Sequence, residues 1–156
     1  MPPLVVNTAM LSCTMGIGSP VPLTVLPKEP LVTAGEQPVA TIAEAIPMEN
    51  IPTFGLCSSP ANPAVATATS AALGVLTPMP CVPLPLGTWQ TGSAKVFMGG
   101  LPVLTSVCTC QCTWGGMITI GIPGPATGAA RPGSRRSRSR QAWPSPGPAP
   151  KSGRCA

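Results

Sequence analysis

Apolar residues in this chain come in short runs that Pro and Gly cut off before a long helix can form. Leu4 to Cys13 predicts a strand, with Val5 and Val6 β-branched and Asn7 placed for a bulge or turn. Gly16, Gly18 and Pro20 break it. Leu23 to Leu26 predicts a second short strand closed by Pro27, and Lys28 to Gln37 is polar and turn-like. Val39 to Ile46 predicts a strand rather than a helical turn, because Pro47 and Pro52 follow closely. Ile51 to Cys57 carries a turn at Phe54-Gly55. One helix is expected: Asn62 as N-cap, Pro63 at the first helical position, Ala64 to Leu73 as its body and Gly74 as its stop. Small residues on every side predict that this helix packs in the core. Thr77 to Leu86, with Pro78, Pro80, Pro83 and Pro85, is expected to be extended and rigid. Ala94 to Met98 and Leu101 to Thr105 predict a hairpin around Gly99-Gly100, and Met117 to Ile122 a last strand stopped by Pro123-Gly124.

The fold class that follows is mainly β: one small domain of short strands over residues 1–125, with one short helix. From 126 to 156 Ser, Arg, Pro and Gly take over and apolar residues nearly vanish, so this segment is expected to be a disordered basic tail. Composition supports the division. The chain has 23 Pro and 17 Gly in 156 residues, a level at which disorder is a candidate, yet 44% of residues are hydrophobic. Only 3% are aromatic, so a core must be built from Val, Leu, Ile, Ala and Met.

The formal charge of +5 belongs to the tail. Arg131, Arg135, Arg136, Arg138, Arg140, Lys151 and Arg154 all follow Gly128, while the body sets Lys28 and Lys95 against Glu29, Glu36, Glu44 and Glu49. His, Tyr and Asp are absent, so no Ser-His-Asp or Cys-His arrangement is available to activate a nucleophile. The four Glu fall within Lys28 to Asn50, a segment that reads as exposed, with nothing to bury them for acid–base work. The chain is expected not to be an enzyme.

Six cysteines lie in the body, each at a segment end or in a turn: Cys13, Cys57, Cys81, Cys108, Cys110 and Cys112. Cys108, Cys110 and Cys112 alternate, and in an extended segment residues two apart face one side, so all three thiols are candidates for one site. A structural zinc takes four thiolate or imidazole ligands, and without His the set would be cysteines only. No CxxC pair is present. Metal ligation, burial as small apolar side chains and disulfide pairing all remain open at this point. Met1-Pro2-Pro3 lacks a basic start, and no run is apolar enough for a membrane span, so synthesis in the cytoplasm is expected, where reduced thiols favour metal.

The ordered motifs carry a resemblance. Val5-Val6-Asn7-Thr8-Ala9-Met10-Leu11-Ser12-Cys13 opens the chain, and Pro47 to Ser59 (PMENIPTFGLCSS) follows with Asn62-Pro63 close behind. Then come Leu76 to Pro83 (LTPMPCVP), Gly99 to Thr105 (GGLPVLT) and Cys110-Gln111-Cys112-Thr113-Trp114-Gly115-Gly116. In this order they resemble the PAAR-like proteins, related to the tips of type VI secretion and phage-tail-like contractile injection systems. The resemblance implies a small conical domain that caps a trimeric VgrG-like spike and is sharpened for membrane puncture. It implies a metal near the apex, zinc, which PAAR proteins hold mostly with His and a Cys. Carried onto this chain, the ligand role falls to Cys13, Cys57, Cys81 and Cys112, with Cys110 as the alternative fourth and Cys108 ranked lower. The partners implied are the spike, effector cargo and, transiently, a target membrane. The location implied is the cytoplasm of a producing bacterium, in a particle that is released or fired outward. The tail has no counterpart in the pattern. A competing reading makes Arg135 to Arg140 a nucleic-acid-binding segment, but the body has no basic patch and few aromatics to support specific binding.

Overall fold

Short apolar runs stopped by Pro and Gly fold into short strands, and a computed structural model describes residues 2–27, 29, 31–125 and 131–132. The strands are β1 (Met10–Cys13), β2 (Val21–Pro22), β3 (Val32–Ala34), β4 (Gln37–Pro38) and β5 (Leu56–Cys57). Helix α1 (Pro63–Ala71) follows. Then come β6 (Met79–Pro80), β7 (Phe97–Met98), β8 (Leu101–Pro102), β9 (Thr109–Gln111), β10 (Met117–Ile122) and β11 (Arg131–Pro132). The fold is mainly β with one short helix. The largest sheet is antiparallel in the order β2-β1-β10-β9, and its register sets Cys13 beside Ile118 and Ile118 beside Cys110.

Three segments outside this sheet repeat one geometry. They are Pro3 to Asn7, Pro38 to Ile42 and Pro102 to Ser106, each opening with Pro followed by Leu or Val. At their centres the Val5 N–H donates to the Leu104 carbonyl (3.0 Å), the Leu104 N–H to Ala40 (2.8 Å) and the Ala40 N–H back to Val5 (2.9 Å). The ring of donors closes on itself. A second ring lies beside it: Asn7 to Pro38 (2.9 Å), Ile42 to Pro102 (3.1 Å) and Ser106 to Pro3 (3.0 Å). Bridges join Val6 to Val39, Thr41 to Val103 and Thr105 to Leu4 in the same cycle. After each segment the chain turns by the same bond, Ala9 to Val6, Glu44 to Thr41 and Cys108 to Thr105. One relation repeated three times, each with partners advanced by one segment, is pseudo-threefold symmetry within a single chain. In two of the three units the segment is preceded by the same hairpin. β3–β4 turns through Gly35 (φ 60°) and Glu36 (φ 68°), and β7–β8 through Gly99 (φ 58°) and Gly100 (φ 81°). Two consecutive residues with positive φ make a turn whose twist matches that of the strands.

Alternation within the three segments divides the core. Val5, Ala40 and Leu104 enter the larger apolar cluster, which also holds Leu11, Phe54, Ile118 and all six cysteines of the body. Their neighbours Val39 and Val103, with Leu4 packed against them, belong to a smaller cluster with Val6, Ala34 and Met98. Successive side chains point to opposite faces, so the ring is a layer between the hairpin end and the cysteine end.

Four expectations are corrected. The helix begins and caps as predicted, with Asn62 accepting from the Ala64 N–H at 3.0 Å, but only Val65 of it is buried. It is a surface helix, because small side chains on all sides give no apolar stripe to bury. The turn-like segment Lys28 to Gln37 contains the β3–β4 hairpin, which a Glu rather than a Gly at the second turn position hides from the sequence. The second strand is β2 at Val21–Pro22, just before Leu23 to Leu26, of which Leu23 and Val25 are buried. Glu44 is fully buried, unlike the exposed loop expected for it: its carboxylate accepts from the Thr41 N–H (2.7 Å) and from the Thr41 hydroxyl, so the pseudo-symmetric turn itself supplies partners. The expected disorder of 126–156 lies outside the described residues except for Arg131–Pro132, whose backbone pairs with Val32–Thr33.

Candidate metal centre

Four thiols reach the cysteine end from four separate segments. β1 ends at Cys13, where the Cys13 carbonyl accepts from the Gly16 N–H (3.1 Å) in a tight turn and the Cys13 N–H donates to the Ser19 hydroxyl (3.1 Å). The loop after it lies along β5: Gly18 donates to Phe54 O (2.7 Å), Ile17 to Leu56 O (2.8 Å) and Ser58 to Met15 O (2.9 Å). This approach needs glycine, since a Cβ on Gly18 would lie 2.8 Å from the Phe54 carbonyl oxygen. Cys57 is thereby bridged to Gly16. Cys81 leaves β6 with its N–H on Gly55 O (2.8 Å), and its carbonyl accepts from the Thr53 hydroxyl (2.6 Å). Cys112 closes a turn through Gly115 and Gly116, donating to Gly116 O at 2.8 Å. A Cβ on Gly116 would lie 2.9 Å from Cys13 Sγ, which places the Cys13 thiol against the Cys112 turn. The Trp114 indole N–H donates to Val82 O (3.0 Å), and its carbonyl accepts from the Ser59 hydroxyl, tying this turn to the β5 and β6 segments.

All four thiols are buried and unpaired by disulfides. Burial pushes the Cys13 thiol up, and the thiols of Cys112 and Cys57 push it further, while the backbone of Met15 and Gly16 works the other way. Burial likewise pushes Cys81 up to about 11, opposed by the backbone of Phe54 and reinforced by Cys57, Cys13 and Cys112. Neighbouring thiols thus add to burial in disfavouring ionisation of Cys13 and Cys81, as expected of thiols sharing one locale. They share it without converging on a point: among the described residues no three Cys or Glu side chains stand in a ligating array.

The other two cysteines are held differently. Cys110 is buried on β9 and pushed up to about 11 by burial and, next, by Cys112. Cys108 is held by the Thr105 N–H (3.2 Å), by the Thr105 hydroxyl (3.3 Å) and by its own contact with the Thr91 carbonyl (3.1 Å). The alternation that made these three thiols candidates for one site does put all three on the buried side. It does not gather them, because same-face neighbours on a strand are about 7 Å apart, so Cys108 and Cys112 are separated by roughly 13 Å of strand. Cys108 instead matches Glu44. Both follow a Thr by three residues, and both take up the N–H and hydroxyl of that Thr in equivalent turns of the pseudo-threefold ring. The repeated Pro-Val-x-Thr at Pro38 and Pro102 is the sequence signal for this equivalence.

The donor chemistry of Cys13, Cys57, Cys81 and Cys112 fits a soft cation. Thiolates suit zinc, and a nearby dication favours the thiolate form that burial disfavours at Cys13 and Cys81. A bound ion would supply cross-linking of four segments, a structural rather than a catalytic service. Of the residues that shape the site, Ser19 carries no sequence signal, Gly18 reads only as a strand breaker, and Thr53, Trp114 and Gly116 only as members of the ordered motifs.

A family model described as a domain of unknown function, DUF4280, matches residues 5–124. Comparison with curated proteins and with solved structures gives no match.

Proposed function

We propose that this chain, which belongs to the DUF4280 family, is a non-catalytic tip that caps the trimeric central spike of a contractile injection system, with zinc held by Cys13, Cys57, Cys81 and Cys112. The observation that carries the proposal is the pseudo-threefold ring of Pro3 to Asn7, Pro38 to Ile42 and Pro102 to Ser106. A single chain that offers similar backbone in three directions can meet three identical subunits in like fashion. The hairpin residues Ala34 and Met98 pack with Val6, Val39 and Val103 in a cluster separate from the one that holds the thiols. In this reading the hairpin end meets the spike and the cysteine end is the point. The order of the motifs supports the same assignment, as does the absence of His and Asp for catalysis. Cys110 is the alternative fourth ligand, since it adjoins Cys112. Synthesis in the cytoplasm, with thiols reduced until metal is bound, fits this use of cysteine.

Two measurements test it. Mixing the purified chain with a trimeric β-helical spike protein is expected to give a complex with a single chain per trimer by native mass spectrometry. Elemental analysis is expected to give about one zinc per chain, with a large fall in thermal midpoint on chelation. Absence of the complex would remove the capping role. Absence of metal with an unchanged midpoint would remove the zinc.

A further inference from the structure

The region between Glu49 and Lys95 contains no Asp, Glu, Lys or Arg. It holds α1, β5 and β6, and thus Cys57 and Cys81 of the thiol group. Past the C-cap Ala72, α1 is followed by Leu73, Gly74, Val75 and Leu76. Leu73 is 96% exposed, Val75 68% and Leu76 51%. Leu73 also holds a positive φ of 56°, a conformation that costs a branched side chain free energy and here gains no internal packing.

Amides and hydroxyls around this apolar projection donate within the segment. The amides of Ala72, Leu73, Gly74 and Val75 donate to Ala68, Ser70, Thr69 and Ala72 carbonyls at 2.9 to 3.2 Å. The Thr77 amide donates to the Thr69 hydroxyl (3.1 Å), and the Thr77 hydroxyl to Val75 O (3.0 Å). On the helix, Thr67 and Ser70 spend their hydroxyls on Pro63 O (2.9 Å) and Ala66 O (3.0 Å). A segment that leaves water for hydrocarbon must satisfy its backbone and hydroxyls internally. A protein partner is normally met with about one hydrogen bond per 100–200 Å² of interface, and here few donors are left to make them.

We infer that α1 and its C-terminal turn form a lipid-inserting wedge, in which Leu73, Val75 and Leu76 enter the acyl region of a bilayer by apolar contact alone. The inference rests on the reading of the cysteine end as the leading point, and adds the segment that touches lipid and the way it does so. Because the wedge has no charge, its binding is independent of anionic lipid and of salt. This separates it from any attraction of the Arg-rich residues 131–154 to a negative surface, which salt screens.

The test is flotation of the full chain with neutral phosphatidylcholine vesicles at low and high salt. Cofloating protein is expected at both. Leu73→Glu and Leu76→Glu are each expected to lower the bound fraction roughly tenfold or more, from the loss of an inserted Leu. Both side chains are exposed, so the variants are expected to melt as the parent does. Phe97→Glu, an exposed apolar residue on β7 at the hairpin end, is expected to leave flotation unchanged. No flotation, flotation abolished by salt, or flotation that Leu73→Glu leaves intact would each overturn the wedge; an intact spike complex in the same variants would then show that the wedge alone has failed. Loss of spike capping with retained flotation would sink the tip reading and leave the wedge standing.

Discussion

The two ends of this protein are built on different principles. The hairpin end is held by closed rings of backbone hydrogen bonds in which three segments play equivalent parts. The cysteine end is held by turns that each occur once, and its four thiols come from β1, β5, the residue after β6 and the turn after β9. Backbone geometry can be repeated with different side chains, so Val5, Ala40 and Leu104 occupy one role. A set of thiols has no such tolerance. The difference teaches that the first end needs only the right pattern of branched and small residues, whereas the second depends on particular atoms and on what binds them.

The largest effect is expected from Cys13→Ser. It should abolish stoichiometric metal binding and lower stability by several kcal/mol, to the level of the chelated parent. Cys108→Ser should keep the metal, because Cys108 serves the ring and not the thiol group. Elemental analysis and thermal melts on both variants check the contrast, and equal metal loss would break it.

Next in size is Leu104→Ala at the ring centre. Loss of a fully buried Leu is expected to cost about 2–5 kcal/mol. The cost should be the same with and without chelator if the ring stands independently of the metal. Denaturant titration under both conditions reads it.

A smaller effect sharpens the pseudo-symmetry. Glu44→Ala strips the Thr41 N–H and hydroxyl of a buried acceptor and is expected to cost about 1–3 kcal/mol. Glu44→Cys should recover part of this, since Cys108 already fills the equivalent place against Thr105. No recovery would mean that the two turns only look alike.

The smallest effect is on pH. The folded thiols of Cys81 and Cys110 are pushed up to about 11 from 9.0, chiefly by burial. Between those values the unfolded chain releases protons that the folded chain keeps. The stabilisation from neutral burial is therefore complete below about pH 9 and is lost as the pH rises toward 11. Metal-free protein should accordingly lose stability over this window. Metal-loaded protein should lose less, because its ligand thiols are already ionised. Melts across the window with and without zinc test the sign.

Much of the mainly β reading was legible because it rests on local physics. Asn62-Pro63 had to start a helix, Gly99-Gly100 had to turn a hairpin, and Met117 to Ile122 had to be a strand, whatever surrounded them. The site was legible only as a set of residue types: alternation made Cys108, Cys110 and Cys112 candidates for one site, and all three are buried but Cys108 is held instead at Thr105 and Thr91.

The four cysteines that the motif order singles out share one locale only through the tertiary structure, and they do so without converging on a point. Sequence spacing measures distance along a strand, and Cys13, Cys57, Cys81 and Cys112 are brought near one another by loop crossings at Gly18, Gly55 and Gly116 that no local pattern specifies. The burial of Glu44 was likewise decided by a turn whose meaning depends on two other segments far away in the chain. The exposure of α1 followed from the absence of any apolar stripe, a property the sequence held but which gains its consequence only when no neighbour covers the helix. Local conformational preference is written residue by residue; convergence of distant groups depends on how the whole chain closes.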